Sequence, residues 1–193
     1  MKKASVFAFY LFFLSASAAP LHVARDTVSY TSYTPECTIA ALSSLLSANA
    51  TIINATYVPD GGSYGDPASD FDFPAIVTGL PELCAVEVNV TRQDSSFKFG
   101  LYLPAHWSGR LVGTGNTGFG GGINWPFMKN IVFYQAVAFS TDTGHNSNPA
   151  DGSWALNDDE KLIDWGYRAM HESLAIAKDF VKSYYEESIS YSY

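Results

Sequence analysis

An apolar strand that breaks into glycines constrains this chain more than any other feature. Residues Leu111 to Ile123 read Leu-Val-Gly-Thr-Gly-Asn-Thr-Gly-Phe-Gly-Gly-Gly-Ile. Gly115, Gly118, Gly120, Gly121 and Gly122 crowd in behind Gly113. Glycine accepts positive φ and lets another group approach the backbone, so the run demands a loop of unusual geometry or close contact. A turn of this kind after a strand can aim several N–H groups at one point, where an anion or a developing oxyanion would sit. The expected donors are Gly115, Gly118, Phe119 and Gly120, mainly the stretch from Gly118 to Gly120. A surface loop with no ligand is the alternative.

The same run matches the dinucleotide fingerprint as Gly113-x-Gly115-x-x-Gly118, and Asp142 ends the next apolar run where a ribose-binding acid is expected. The fingerprint needs a helix to open at its third glycine. Here Gly120, Gly121, Gly122 and Pro126 follow instead, at costs of about 1 kcal/mol per interior glycine and about 3 for the proline. The context is also secretory, where a nicotinamide cofactor is not expected. Lys2 and Lys3 precede an apolar run from Ala4 to Leu14, and Ser15-Ala-Ser-Ala-Ala-Pro20 follows. That is a signal-peptide pattern over residues 1–18 with cleavage after Ala18, and the apolar run is too short to span a bilayer. Residues 19–193 are the expected mature domain, long enough to bury a sizeable core.

The charge balance and the cysteines narrow the classes further. The formal net charge is −8, which disfavours nucleic acid and anionic membrane as partners, since phosphate binding needs clustered Lys and Arg. Cys37 and Cys84 fit an oxidising compartment. A bridge between them would close a loop of about fifty residues and stabilise the fold by about 4 kcal/mol; two free buried thiols are the alternative. Asn49-Ala-Thr51, Asn54-Ala-Thr56 and Asn89-Val-Thr91 are glycosylation sequons. Twelve Tyr and thirteen Phe hint at sugar or aromatic ligands, although core packing accounts for most of them.

Periodicity orders the elements. Thr38 to Ala48 reads as a short helix, Thr51 to Val58 as a strand, and Pro59 to Pro74 as a loop. Cys84 to Thr91 and Phe97 to Leu103 alternate as the arms of an antiparallel hairpin. Arg110 to Gly113 starts the strand that ends in the glycines. Val132 to Thr141 is a continuous apolar run, as in a strand covered on both faces. It ends in the polar tip Asp142-Thr-Gly-His145. The longest helix is expected from Glu160 to Tyr185, with acids at its start where the helix dipole favours them, and Ile189 to Tyr193 reads as the opening of a strand. The order predicts the first part of an α/β sheet, with its chemistry at the carboxyl ends of the parallel strands.

Several segments carry a resemblance. They are Leu80-Pro-Glu-Leu-Cys84-Ala-Val, Leu101-Tyr-Leu-Pro-Ala-His-Trp-Ser-Gly-Arg110 and Gly115-Asn-Thr-Gly-Phe-Gly-Gly-Gly-Ile123. Ser140-Thr-Asp-Thr-Gly-His145, Trp154-Ala-Leu, Glu160-Lys and Asp164-Trp-Gly-Tyr-Arg-Ala-Met-His171 follow in order. In these the chain resembles the tannase and feruloyl esterase family of fungal secreted carboxylic ester hydrolases. The resemblance implies an α/β-hydrolase fold with an inserted lid that holds a structural calcium, and a Ser-Asp-His triad. It places the serine in a Cys-Ser-x-Gly-Gly elbow, with its cysteine bonded to one beside the histidine. It also implies phenolic esters such as gallates or ferulates of plant material as substrates. In the family a segment like Ser190-Tyr-Ser-Tyr193 leads into the elbow. The triad and lid are therefore expected beyond Tyr193, with the sheet incomplete, no cofactor held here, and a bare sheet edge that favours aggregation.

The glycine loop is then expected as the earlier strand loop that gives a serine hydrolase one oxyanion N–H. Asp142 and His145 are expected to line the pocket, not to act as a catalytic pair. His171 reads as solvated or capping, His106 as a loop packing residue, and His22 lies in the irregular N-terminal stretch. Ser140 is not an elbow serine, and no His/Cys/Asp spacing suggests zinc. The rival expectations are a catalytically inactive secreted fragment and an aromatic-rich carbohydrate-binding module.

Overall fold

In the computed structural model the described residues are 31–32, 36–47, 49–67 and 76–193. The signal-peptide expectation, His22 and Ala48 lie outside them. The strands are β1 (Thr31–Ser32), β2 (Ala50–Val58), β3 (Gly62–Gly65), β4 (Ile76–Leu80), β5 (Leu83–Thr91), β6 (Ser96–Pro104), β7 (His106–Trp107), β8 (Arg110–Thr114), β9 (Val137–Thr141) and β10 (Tyr191–Ser192). The helices are α1 (Ile39–Leu42), α2 (Trp125–Val132), α3 (Asp159–Ile163) and α4 (Ala169–Tyr185).

One six-stranded sheet in the order β10-β8-β9-β6-β5-β2 organises the molecule. The β2, β5, β6 and β9 neighbours pair antiparallel, and β8 runs parallel to both β9 and β10. Alternation puts Cys84, Val86, Val88 and Val90 of β5 on one face with Phe97, Phe99, Leu101 and Leu103 of β6. The helix α4 closes that face with Ala169, Ala177, Phe180, Val181, Tyr184 and Tyr185. On the other face α2 and the β3–β4 hairpin pack Trp125, Met128, Val132 and Tyr64 over Leu83, Ala85, Tyr102 and Ala138. Gly100 has no room for a Cβ because the Trp125 ring lies against it. Tyr185 stacks on Trp107 at 4.3 Å and donates its hydroxyl to Pro104 O at 2.8 Å, which fixes the end of α4 against the sheet.

Four expectations need correction. Val132 to Thr141 is not one strand: α2 ends at Val132, Gln135 turns with φ of 58°, and β9 begins at Val137. The helix was hidden by its own punctuation. Asn124 caps it by accepting from Phe127 N–H, Pro126 sits in its first turn where a missing N–H costs nothing, and Trp125, Met128 and Val132 form its buried face. Pro59 to Pro74 is also not all loop, because β3 lies inside it and pairs with β4. The short helix before β2 is briefer than expected, four α-helical residues and then a tighter turn over Ser43–Leu45. The long helix does run to Tyr185, but one π-turn, Asp164–Arg168, joins α3 to α4.

Cys37 and Cys84 are bonded, tying the segment ahead of α1 to β5 across 47 positions. Replacing both with Ala should lower unfolding stability by about 4 kcal/mol. The check is a denaturant titration of both proteins, in which an unchanged midpoint would contradict a role for the bridge in stability.

Candidate functional site

The glycine loop leaves the carboxyl end of β8, and the polar tip of Asp142 to His145 leaves the neighbouring carboxyl end of β9. Parallel pairing of Leu111 with Val137 through Thr114 with Ser140 sets the two side by side. On the far flank of β8, Gly113 N–H donates to Tyr193 O at 2.8 Å, so β10 emerges at the same end of the sheet. The topology thus brings three strand ends together around one loop.

The loop is tied down at every turn. Asn124, fully buried, donates Nδ2 to Gly115 O at 3.1 Å, and its own N–H goes to Ser140 Oγ at 3.0 Å. Asn116 Nδ2 donates to Thr141 O at 3.2 Å. The N–H groups of Phe119, Gly121 and Gly122 donate to Pro149 O at 2.9 Å, Ser147 O at 3.1 Å and Asp142 O at 3.3 Å, and that of Gly120 turns back to Thr117 O at 3.0 Å. Gly118 adopts φ of 56°, and a Cβ there would stand 2.6 Å from Pro149 O. Gly121 lies against the His145 backbone and leaves no space for a side chain. Glycine is therefore required at both positions by contact, and at Gly118 by φ as well.

These bonds narrow the set of open donors. Phe119 and Gly120 do not present free N–H groups, because the loop folds inward onto residues 142–149. Among the described residues none takes the N–H of Gly118, which sits at the exposed crest of the loop. The Phe119 carbonyl is the other fixed point. It accepts from Trp154 Nε1 at 3.0 Å and Ser147 Oγ at 3.4 Å, and His145 Nε2 stands 3.1 Å away. His145 stacks on Trp154 at 3.8 Å, Trp154 meets Trp165 at 5.8 Å, and Trp165 meets Phe119 at 5.9 Å. Phe119 and Trp165 stay 53% and 36% exposed, so the loop carries an aromatic ledge open to solvent. The π-turn presents Trp165, and Arg168 holds that turn by ion pairs to the buried Asp164 and to Glu160 and by a 3.1 Å bond to Ser95 Oγ.

Asp142 and His145 do not pair with each other. Asp142 Oδ1 accepts from Lys98 N–H and Gly144 N–H, both at 2.8 Å, while His145 turns its ring to Thr143 and Phe119. Burial pushes the Asp142 carboxyl up to about 7, against the pull of its two N–H donors and Lys98 and with a push from Glu87. Burial also lowers His145. Both residues brace the loop from beneath. His171 is exposed on α4, and His106 is exposed in β7 while its neighbour Trp107 does the packing. The sequence does hold one literal Gly-x-Ser-x-Gly, Gly61 to Gly65, but Ser63 lies in a β-hairpin strand instead of a strand-to-helix turn, so it is no nucleophile elbow. Among the described residues no three His, Cys, Asp or Glu side chains converge as a metal-ligand set, and the buried Asp164 is spent on Arg168. No helix among the described residues is long and apolar enough to cross a membrane.

Sheet order and crossings define the front of an α/β-hydrolase-type sheet, with a glycine loop at the carboxyl end of β8. The family model described as tannase and feruloyl esterase matches residues 83–193. The chain belongs to that family. It is 29% identical over 147 residues to a probable feruloyl esterase B of Aspergillus niger, covering 76% of this chain and 28% of that protein. It is 31% identical over 153 residues to a probable feruloyl esterase B-1 of Aspergillus oryzae, covering 75% and 27%. The crystal structure of feruloyl esterase B from Aspergillus oryzae superposes with a TM-score of 0.68 at 27% identity, over 79% of this chain and 31% of that one. The tannin acyl hydrolase of Aspergillus niger shares the fold, with a TM-score of 0.55 at 20% identity, over 83% and 33%. The chain spans about 28% of the length of the curated relatives it matches.

Two outcomes test this geometry. Asp142 has a folded-state pKa above its unfolded value, so the folded chain binds the extra proton between about pH 4 and 7 and its stability falls as pH rises through that window. Lowered His145 acts in the opposite sense below its ordinary range. Asp142→Asn keeps both N–H contacts and should remove the downward slope, worth a few kcal/mol, in melts recorded from pH 4 to 8; an unchanged slope would contradict burial of the acid. Trp154→Phe keeps the ring but loses the bond to Phe119 O. It should cost about 1 kcal/mol and speed amide exchange in residues 118–122, whereas unaltered exchange would show that this bond does not hold the loop.

Proposed function

We propose that this chain is part of a secreted carboxylic ester hydrolase that cleaves phenolic esters of plant material, gallates or ferulates, through a serine acyl-enzyme. The observation that carries the reading is the meeting of the glycine loop with the carboxyl ends of β8 and β10. In serine-hydrolase chemistry the nucleophile sits on the turn after the strand next to the oxyanion loop, and one oxyanion N–H comes from each side. In this reading a serine following β10 comes up beside the glycine loop, and the N–H of Gly118, exposed and untaken among the described residues, is its candidate donor. The role of that N–H is to take the negative charge that grows on the ester oxygen as the carbonyl becomes tetrahedral. Phe119, Trp154 and Trp165 offer the ring faces against which a phenolic acyl group would stack. The lysine pair and small-residue cleavage pattern ahead of Pro20, together with the disulfide, support export. The calcium implied by the family resemblance belongs in this reading to a lid outside these residues.

The test pairs two proteins. Residues 20–193 alone should give no hydrolysis of a p-nitrophenyl ester above a heat-killed control, because they carry no elbow serine. A chain in which β10 continues into Cys-Ser-x-Gly-Gly should hydrolyse methyl ferulate or methyl gallate, and Ser→Ala in that elbow should abolish turnover. Gly118→Pro removes the N–H together with the positive φ that the loop needs there, so it should lower kcat by at least the roughly 100-fold that a missing oxyanion donor costs. Turnover by residues 20–193 alone would defeat the assignment of the nucleophile, and full activity of Gly118→Pro would defeat that of the donor.

A further inference from the structure

The strand β2 ends the sheet among the described residues, and its own sequence carries neither charge nor proline to protect the edge. It reads Ala-Thr-Ile-Ile-Asn-Ala-Thr-Tyr-Val, nine residues without a charge or a proline. Ile53 and Tyr57 are 42% and 56% exposed along it. A long, uncharged, β-branched edge is a template for pairing with another chain, and proteins blunt such edges with charge, proline, bulges or a cover. One bulge lies between Ile52 and Asn54. Nothing else in the sequence of the strand discourages a partner.

The face beside this edge is also only half covered. Its near half lies under α2 and the β3–β4 hairpin. Its far half is polar and more open, with the Lys98 side chain 45% exposed and that of Glu87 14%: Asn54 stands opposite Glu87, Thr51 opposite Asn89, and Asn89 opposite Lys98. Glu87 and Asn89 are two apart on β5, so they and their cross-strand partners share one face. Two sequon asparagines on adjacent strands therefore point from the same face as diagonal neighbours, about 7–8 Å apart. Asn49, exposed at the head of β2, is the third, and its carbonyl accepts from Thr91 N–H.

We propose that N-linked glycans on Asn54 and Asn89, flanked by Asn49, form a single shield over this polar half-face and the edge that β2 presents among the described residues. The inference rests on the secretory reading above. Both side chains allow it. Thr56 Oγ1 donates to Asn54 Oδ1 at 3.0 Å, leaving Nδ2 out of that bond. Asn89 Nδ2 donates to Thr91 Oγ1 at 3.1 Å, and a substituted amide keeps one N–H for it. Transfer forms a bond from Nδ2 to the anomeric carbon of a lipid-pyrophosphate-linked oligosaccharide. The anomeric C–O bond breaks, lipid pyrophosphate leaves, and the amide sheds one proton. The sugar replaces a packing layer with hydrated bulk, which a polar face tolerates and an incoming strand does not.

The experiment expresses the full chain in a secreting, glycosylating yeast, maps occupancy by mass spectrometry of glycopeptides, and measures mass by light scattering. The expected result is sugar on both Asn54 and Asn89 and a severalfold greater scattering mass for the Asn54→Gln/Asn89→Gln variant than for the glycosylated parent. Adding charge at the edge instead, as Asn54→Lys/Asn89→Gln, should restore the parent mass. Both sites bare would overturn the shield and the secretory reading together. Sugar present but no gain in mass in the glutamine variant, or equal association of the parent, would overturn the shield and leave the secretory reading standing.

Discussion

The parallel pairing of β8 with β9 on one side and β10 on the other is the constraint from which the rest follows. Parallel strands cannot be joined by a tight turn, so each must be followed by a crossover. The crossovers are α2 and the α3–α4 run, and they cover opposite faces of the sheet. The result is a strand such as β9, buried at all five residues. The same rule gathers every strand-to-helix loop at one end of the sheet. Chemistry at that end is a consequence of connectivity before it is a consequence of any side chain.

What the side chains add is rigidity. A loop with this many glycines loses much conformational freedom on folding. Here its peptide groups are held one by one: Asn124 at its end, Asn116 at its start, and residues 142–149 underneath. The N–H groups of Phe119, Gly120, Gly121 and Gly122 are satisfied internally, which fixes the second half of the loop and leaves the N–H of Gly118 at its exposed crest. The aromatic ledge does two jobs with the same atoms, since Trp154 donates to the loop carbonyl and presents a ring to solvent.

Strands β2, β5, β6 and β8 were legible because alternation and length signal a half-buried sheet, and the disulfide because two cysteines behind a signal-peptide pattern have few other fates. The helix α2 was not, although Asn124 before Trp125-Pro126 is a start signal; the apolar run after it masked the boundary, since a buried helix end and a buried strand look alike at that length. The glycine loop was legible as a loop of close contacts at a strand end, but not in which of its N–H groups are bonded. Which N–H groups stay open depends on carbonyls from Thr117 and from Asp142, Ser147 and Pro149, and no local spacing encodes those contacts. The π-turn at Asp164–Arg168 was equally hidden, because it is set by the reach of Arg168 to Glu160 and Ser95 and not by helical periodicity.

Amide hydrogen exchange resolved by residue across the glycine loop tests the central geometry most directly. Phe119, Gly120, Gly121 and Gly122 should be protected, Gly118 should exchange freely, and an added aryl phosphonate, which mimics the tetrahedral oxyanion, should shift the Gly118 resonance first. Uniform fast exchange across residues 118–122, or protection of Gly118 with its neighbours open, would contradict the account.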